Sequence, residues 1–148
     1  EHLTTAIRWM STLNRRAAET AADLEPHAVT DVTGFALCGH AAEMAEASGL
    51  AVEIDLARLP LLPGAVEAAS MGLVPAGAGK NRESLQAVLE VAAGADPVRV
   101  DLTLDPQTSG GLLVACAEEP GRLLASRLPE AAIVGRCVEG ERGRVALR

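Results

Sequence analysis

Three short stretches of the chain hold the residues best suited to chemistry. The first is TDVTGF, residues 30–35, where a carboxylate, Asp31, stands just ahead of what reads as a helix start. Asp and Thr in that position can cap a helix by accepting hydrogen bonds from its first free N–H groups. The same carboxylate also suits a hard cation. Mg²⁺ takes oxygen donors, usually one or two carboxylates with phosphate oxygens and water, and a helix start offers N–H groups to the phosphate. The second stretch is VPAGAGKN, residues 74–81, read as a Gly-rich loop ahead of a helix. Such a loop can present N–H groups to an anion or be a plain turn. It lacks the P-loop pattern, because Lys80 is followed by Asn81 rather than Ser or Thr. The third is DPQTSGG, residues 105–111. Asp-Pro opens a turn, and Gly110-Gly111 lets the backbone bend closely around something. It is either a tight connection or an anion-binding or domain-contacting loop; Asp105 is expected to order its own loop.

The remaining candidates are plainer. His40 is read as a satisfied, partly buried residue, and His2 and His27 as surface residues. Cys38, Cys116 and Cys137 form no CxxC or Cys/His cluster, so a zinc site is not expected. They read as buried thiols of a reducing, cytoplasmic compartment.

The elements that must position these residues come from a chain of 148 residues, the size of one domain. Hydrophobic residues make up 49% and aromatics 1%, so the core must be aliphatic and base-stacking platforms are excluded. A formal net charge of −7 and a single lysine, Lys80, argue against nucleic acid and anionic membranes as partners. No signal peptide and no apolar run of about 18 residues is apparent.

Apolar residues at Leu3, Ile7, Met10, Leu13, Ala17, Ala21 and Leu24 predict one helix with a single apolar face, capped by Thr4 or Thr5 and stopped by Pro26. Val29 and Val32 favour an extended approach to a helix over 34–48, which Gly49 closes. Residues 51–55 alternate as a strand. A short helix over 65–71 ends at Gly72. A helix is expected over 82–93, with Leu85, Val88, Leu89 and Ala92 inward. VRVDLTL, residues 98–104, alternates as a strand. LLVACA reads as a buried strand, and Pro120 opens a helix to Leu128. Residues 131–138 and 144–148 read as strands of a closing β-hairpin. The order is not strict βαβ, so the expected class is α+β: a mixed β-sheet covered by helices, in one domain over 1–148.

Taken together, TDVTGFALCGHAAEMAEASG, GLVPAGAGKN and DPQTSGGLL resemble, in this order, the signature blocks of the C-terminal domain of selenophosphate synthetase. MSTLNRRAAE is similar to the helix entering that domain. DPQTSGGLL is the most specific block. Other members of the aminoimidazole ribonucleotide synthetase superfamily, among them thiamine-monophosphate kinase and a hydrogenase-maturation protein, generally lack it.

The resemblance implies a two-domain, dimeric enzyme that makes selenophosphate from selenide, ATP and water and releases AMP and phosphate. The N-terminal domain would bring a catalytic Cys or selenocysteine, a Lys and acidic metal ligands. This chain would bring Asp31 as a Mg²⁺ ligand and no catalytic residue. Thr33, Gly34, Asn81, Thr108, Ser109, Gly110 and Gly111 would line the phosphate or the domain contact. With no N-terminal half in this chain, it is expected not to turn over alone. The other readings are a non-catalytic nucleotide- or partner-binding module of the same fold, or a related ATP-dependent enzyme such as thiamine-monophosphate kinase. The family block usually continues Gly-Phe-Gly. Here Ala36 stands at the second Gly, which is harmless if that residue has negative φ.

Overall fold

The computed structural model describes residues 2–148, which form seven α-helices, one short 3-10 helix and six strands. The N-terminal segment is two helices rather than one: α1 (His2–Ser11) and α2 (Arg15–Ala22). The break has a local cause. Ser11 and Thr12 both turn their hydroxyls back onto the Arg8 carbonyl, at 3.0 and 2.7 Å, a side-chain bond that competes with helix continuation. Thr4 and Thr5 lie within α1 rather than ahead of it. The expected apolar face is inward only in α2, where Ala21 is buried; Leu3, Ile7, Met10 and Leu13 are exposed.

β1 (Ala28–Asp31) pairs antiparallel with β4 (Leu112–Ala115) in a two-stranded ribbon. α3 (Ala36–Ser48) follows β1 and ends, as expected, at Gly49 in the left-handed region, φ 69°. The main sheet has four strands in the order β3-β6-β2-β5: β3 (Leu89–Val91), β6 (Val145–Leu147), β2 (Ala51–Ile54) and β5 (Gly135–Val138). β6 runs parallel to both β2 and β3, whereas β5 is antiparallel to β2. The sheet is therefore mixed, as the α+β reading requires. The closing hairpin is not formed, because β2 lies between β5 and β6. A parallel central strand must reach its place by crossover.

The core packs Ile54, Val145 and Leu147 of the sheet against Cys38, Ala41 and Ala42 of α3, with Ala78, Val100 and Leu104 closing it. Ile54, Val145, Leu147, Leu104 and Cys38 are at most 1% exposed. The interior is aliphatic, as the composition requires.

Two segments depart from the sequence reading. The Gly-rich stretch is not a loop but the front of helix α5 (Ala76–Leu85), and residues 89–91 form the edge strand β3 where a helix over 82–93 was expected. Gly77 makes room for a neighbour: a Cβ on it would lie 2.6 Å from Pro106 Cγ. Residues 98–104 are likewise not a strand: 98–103 belong to helix α6 (Pro97–Thr103), and Leu104 is its C-cap. Asp96 caps it, its carboxylate accepting from the Val98 N–H at 2.9 Å, and Pro97 occupies the first helical turn. The cap and proline outrank an apolar alternation that also fits i, i+3, i+4 burial at Val100, Thr103 and Leu104. α4 (Ala65–Ser70) and α7 (Glu118–Arg127) stand near their expected places.

Candidate functional site

Asp31 closes β1, opposite Leu112 of β4. Burial alternates along β1, with Val29 and Asp31 exposed, so the carboxylate stands on the open face of the ribbon. Among the described residues it makes no hydrogen bond or ion pair. It does not cap α3, which begins at Ala36 with Phe35 in the cap position and no side-chain cap.

Beyond Asp31 the chain is stitched to the DPQTSGG loop by main-chain bonds. The Val32 N–H donates to the Gly111 carbonyl at 2.9 Å, the Gly110 N–H to the Val32 carbonyl at 3.0 Å and the Gln107 N–H to the Thr33 carbonyl at 3.0 Å. The Thr33 carbonyl also accepts from the Ala36 N–H at 3.0 Å. Asn14, freed by the α1–α2 break, donates its amide to the Gly110 carbonyl at 3.1 Å. Gly110 is bare because an added Cβ would overlap the Val32 carbonyl oxygen. What its backbone bends around is thus the neighbouring loop. Gly34 and Gly111 differ: both are exposed, and a Cβ on either meets nothing within 4 Å. Thr108 and Ser109 are exposed on the same loop.

Asn81, from the second block, is buried. It donates to the Gly34 carbonyl at 3.1 Å and to the Leu104 carbonyl at 3.0 Å, both through Nδ2. All three sequence blocks therefore meet at one place, although Asp31 and Gly111 are far apart in sequence. Gln107 and Asn14 join the frame without having been singled out. Each acts through a generic amide or main-chain group, and sequence gives no signal for that.

His40 is buried and satisfied, with Nε2 3.2 Å from Thr33 Oγ1 and Nδ1 3.2 Å from Glu43 Oε2. Phe35, the only Phe, lies tilted against it at 5.6 Å between ring centroids. Asp105 does order its own loop: Gln107 Nε2 donates to its carbonyl at 3.0 Å and to Oδ2 at 3.2 Å. Its Oδ1 is buried without a partner. That burial raises the pKa above the ordinary carboxylate value, opposed by the Gln107 bond. Of the cysteines only Cys38 is buried, its thiol pushed up to about 11 by desolvation; Cys137 is exposed, contrary to the expectation of buried thiols.

No group of three or more His, Cys, Asp or Glu side chains among the described residues is placed to hold a metal ion. The donor set fits one carboxylate ligand of a hard cation, not a complete site.

Comparison with known proteins defines the class. The model of the family "AIR synthase related protein, C-terminal domain" matches residues 8–148, and the chain belongs to that family. Within it, the chain is 50% identical to the selenide, water dikinase of Nitratidesulfovibrio vulgaris over 113 residues, 76% of this chain and 32% of that protein. It is 41% identical to that of Caldanaerobacter subterraneus over 97% of this chain and 43% of the relative. It is 40% identical to selenide, water dikinase 2 of Peptoclostridium acidaminophilum over 91% and 40%. The resemblance read from the three blocks holds at this level. The chain spans less than half the length of these curated relatives.

Proposed function

We propose that this chain is the C-terminal domain of a two-domain selenophosphate synthetase. The parent would convert selenide, ATP and water to selenophosphate, AMP and phosphate in the cytoplasm, supplying selenium for selenocysteine and selenouridine. One observation carries the reading. The three signature blocks converge on a single hydrogen-bonded frame, and that frame leaves one carboxylate, Asp31, exposed and unpaired at its edge.

In this reading Asp31 supplies one ligand to Mg²⁺. When bound, the ion would offset triphosphate charge during phosphoryl transfer. The exposed segment around Gly34, Thr108, Ser109 and Gly111 would face the phosphates or the N-terminal domain. There bare glycines permit close approach and hydroxyls donate hydrogen bonds. Thr33 and Gly110 hold that segment in shape through their main-chain groups. The N-terminal domain is the chain's first partner, and the parent is a homodimer. This chain holds one ligand and no catalytic group, so it does not turn over alone.

The test joins this chain to the N-terminal half of a selenide, water dikinase. AMP formation from ATP is followed with and without selenide, for wild type and Asp31→Asn. Selenide-dependent AMP in the wild type and a loss of about 100-fold in the folded variant are expected, the size of effect that losing a charge-stabilising group produces. Near-normal activity of the variant would remove Asp31 from the site. A wild type that forms no AMP with selenide would sink the functional reading itself.

A further inference from the structure

Asn81 stands among the residues expected to line the phosphate, yet its geometry suits another task. The residue is only 8% exposed. An amide NH₂ carries two N–H donors, and here both are directed at carbonyls, of Gly34 at 3.1 Å and Leu104 at 3.0 Å. Both acceptors are main-chain oxygens, so the orientation of the amide is forced: its own oxygen in that place would face two others. No N–H remains for a ligand.

The two acceptors belong to different segments. Gly34 is in the TDVTGF segment, three residues after Asp31. Leu104 caps α6 and immediately precedes the DPQTSGG loop. One turn earlier on α5, Gly77 makes a second contact with that loop, since its bare Cα lets Pro106 lie against the helix. The loops also bond directly, Gln107 N–H to the Thr33 carbonyl and Gly110 N–H to the Val32 carbonyl. α5 is thus a common bed for both loops, and Asn81 is the only one of its side chains that bonds to both sides.

We propose that Asn81 is a positioning residue that fixes the Asp31 segment and the Thr108–Ser109 loop as one rigid unit, without touching the ligand itself. The coupling stands on this chain's geometry alone; its consequence for metal binding rests on the reading of Asp31 given above.

Two measurements test it. In the first, amide hydrogen exchange is followed in the 148-residue chain for wild type and Asn81→Ala. The Ala36, Gln107 and Gly110 amides should exchange together, about tenfold faster or more, as a local opening unit does. The Val52 and Arg148 amides, which bond within the main sheet, should keep their protection. Asn81→Ser retains one donor in the slot and takes the place of the alanine variant if that unfolds. One hydroxyl cannot hold two carbonyls, so the same group of amides should loosen. Acceleration confined to one of the two loops overturns the coupling.

The second measurement uses the joined two-domain protein. Asn81→Ala should raise the Mg²⁺ concentration for half-maximal rate about tenfold, the lower end of what losing a partner of a metal ligand causes. The rate should return at saturating Mg²⁺. A lower kcat at every Mg²⁺ concentration, or a raised KM for ATP at saturating Mg²⁺, overturns the positioning role. If the wild type forms no AMP with selenide, the functional reading fails and the exchange measurement alone decides the coupling.

Discussion

Gly110 packs so closely on Val32 that only a hydrogen fits between its Cα and the Val32 carbonyl oxygen, to which its own N–H also donates at 3.0 Å. The obstacle is backbone held in a ribbon, not a side chain that can swing away. Gly110→Ala should therefore destabilise by roughly 1–3 kcal/mol, the range for overpacking. That lowers the melting temperature by about 2–4 °C per kcal/mol in a chain of this size. Gly111→Ala and Gly34→Ala, which meet open space, should melt within about 2 °C of wild type, as surface substitutions do. A thermal scan of the three variants checks the contrast.

Ala36 adopts φ 62° and is fully buried. The condition for a harmless replacement of the family's usual glycine, a negative φ, is not met. A left-handed alanine costs roughly 1–2 kcal/mol, while the buried methyl returns about 0.8 kcal/mol. Ala36→Gly should thus be neutral to mildly stabilising, by up to about 1 kcal/mol in urea unfolding. Ala36→Val, β-branched in the same conformation, should lose at least about 2 kcal/mol. A valine variant as stable as wild type would contradict the assigned backbone.

The Cys38 thiol is raised to about 11 from 9.0, first by burial, against smaller opposing effects of Thr103 and Arg82. A group that holds its proton more tightly when folded stabilises fully below the unfolded pKa. That contribution is lost as pH rises through the folded one. Stability should fall between pH 9 and 11 by roughly 2–3 kcal/mol from this group. Cys38→Ala should remove that part of the decline. At pH 8 iodoacetamide should label exposed Cys137 and spare Cys38 until unfolding. Mass spectrometry of the labelled peptides distinguishes them.

Asp105 is also raised, by burial first, with the Gln107 bond opposing. Its contribution is most favourable below the unfolded carboxylate value and is lost as pH rises through the folded one. Asp105→Asn keeps an acceptor for Gln107 and removes the charge. The wild type should therefore lose stability relative to the variant as pH climbs from about 3 to 6, across the carboxylate range. Urea midpoints of both proteins over that range measure the difference.

What the sequence disclosed depended on how local the controlling physics was. Gly49 marks the end of α3 because a left-handed cap is one residue's affair. The strands at Ala51–Ile54 and Leu112–Ala115 were legible from short apolar or alternating runs. VRVDLTL was misread because its alternation also satisfies helical spacing, and the deciding signal, Asp96-Pro97, lies just upstream. The Gly-rich run was misread in part because its Gly77 answers a distant Pro106, a tertiary demand that propensity does not contain. The site divides the same way. Its three blocks were recognisable one by one, but the bonds that join them are main-chain bonds, to which any residue type could contribute.

The position of β6 has a consequence for synthesis. β6 is the last strand of this chain, yet it is the one through which β3 joins the sheet, and it flanks β2 on its inner side. A ribosome delivers residues 51–91 long before it delivers 145–147, so β3 must wait unpaired until β6 clears the exit tunnel. Until then the nascent chain exposes Val52, Ile54, Leu89 and Val91 on open strand edges, the kind of surface that chaperones cover. Trimming even four residues from this end would take out the middle of the sheet, whereas the same cut at a rim strand would only narrow it.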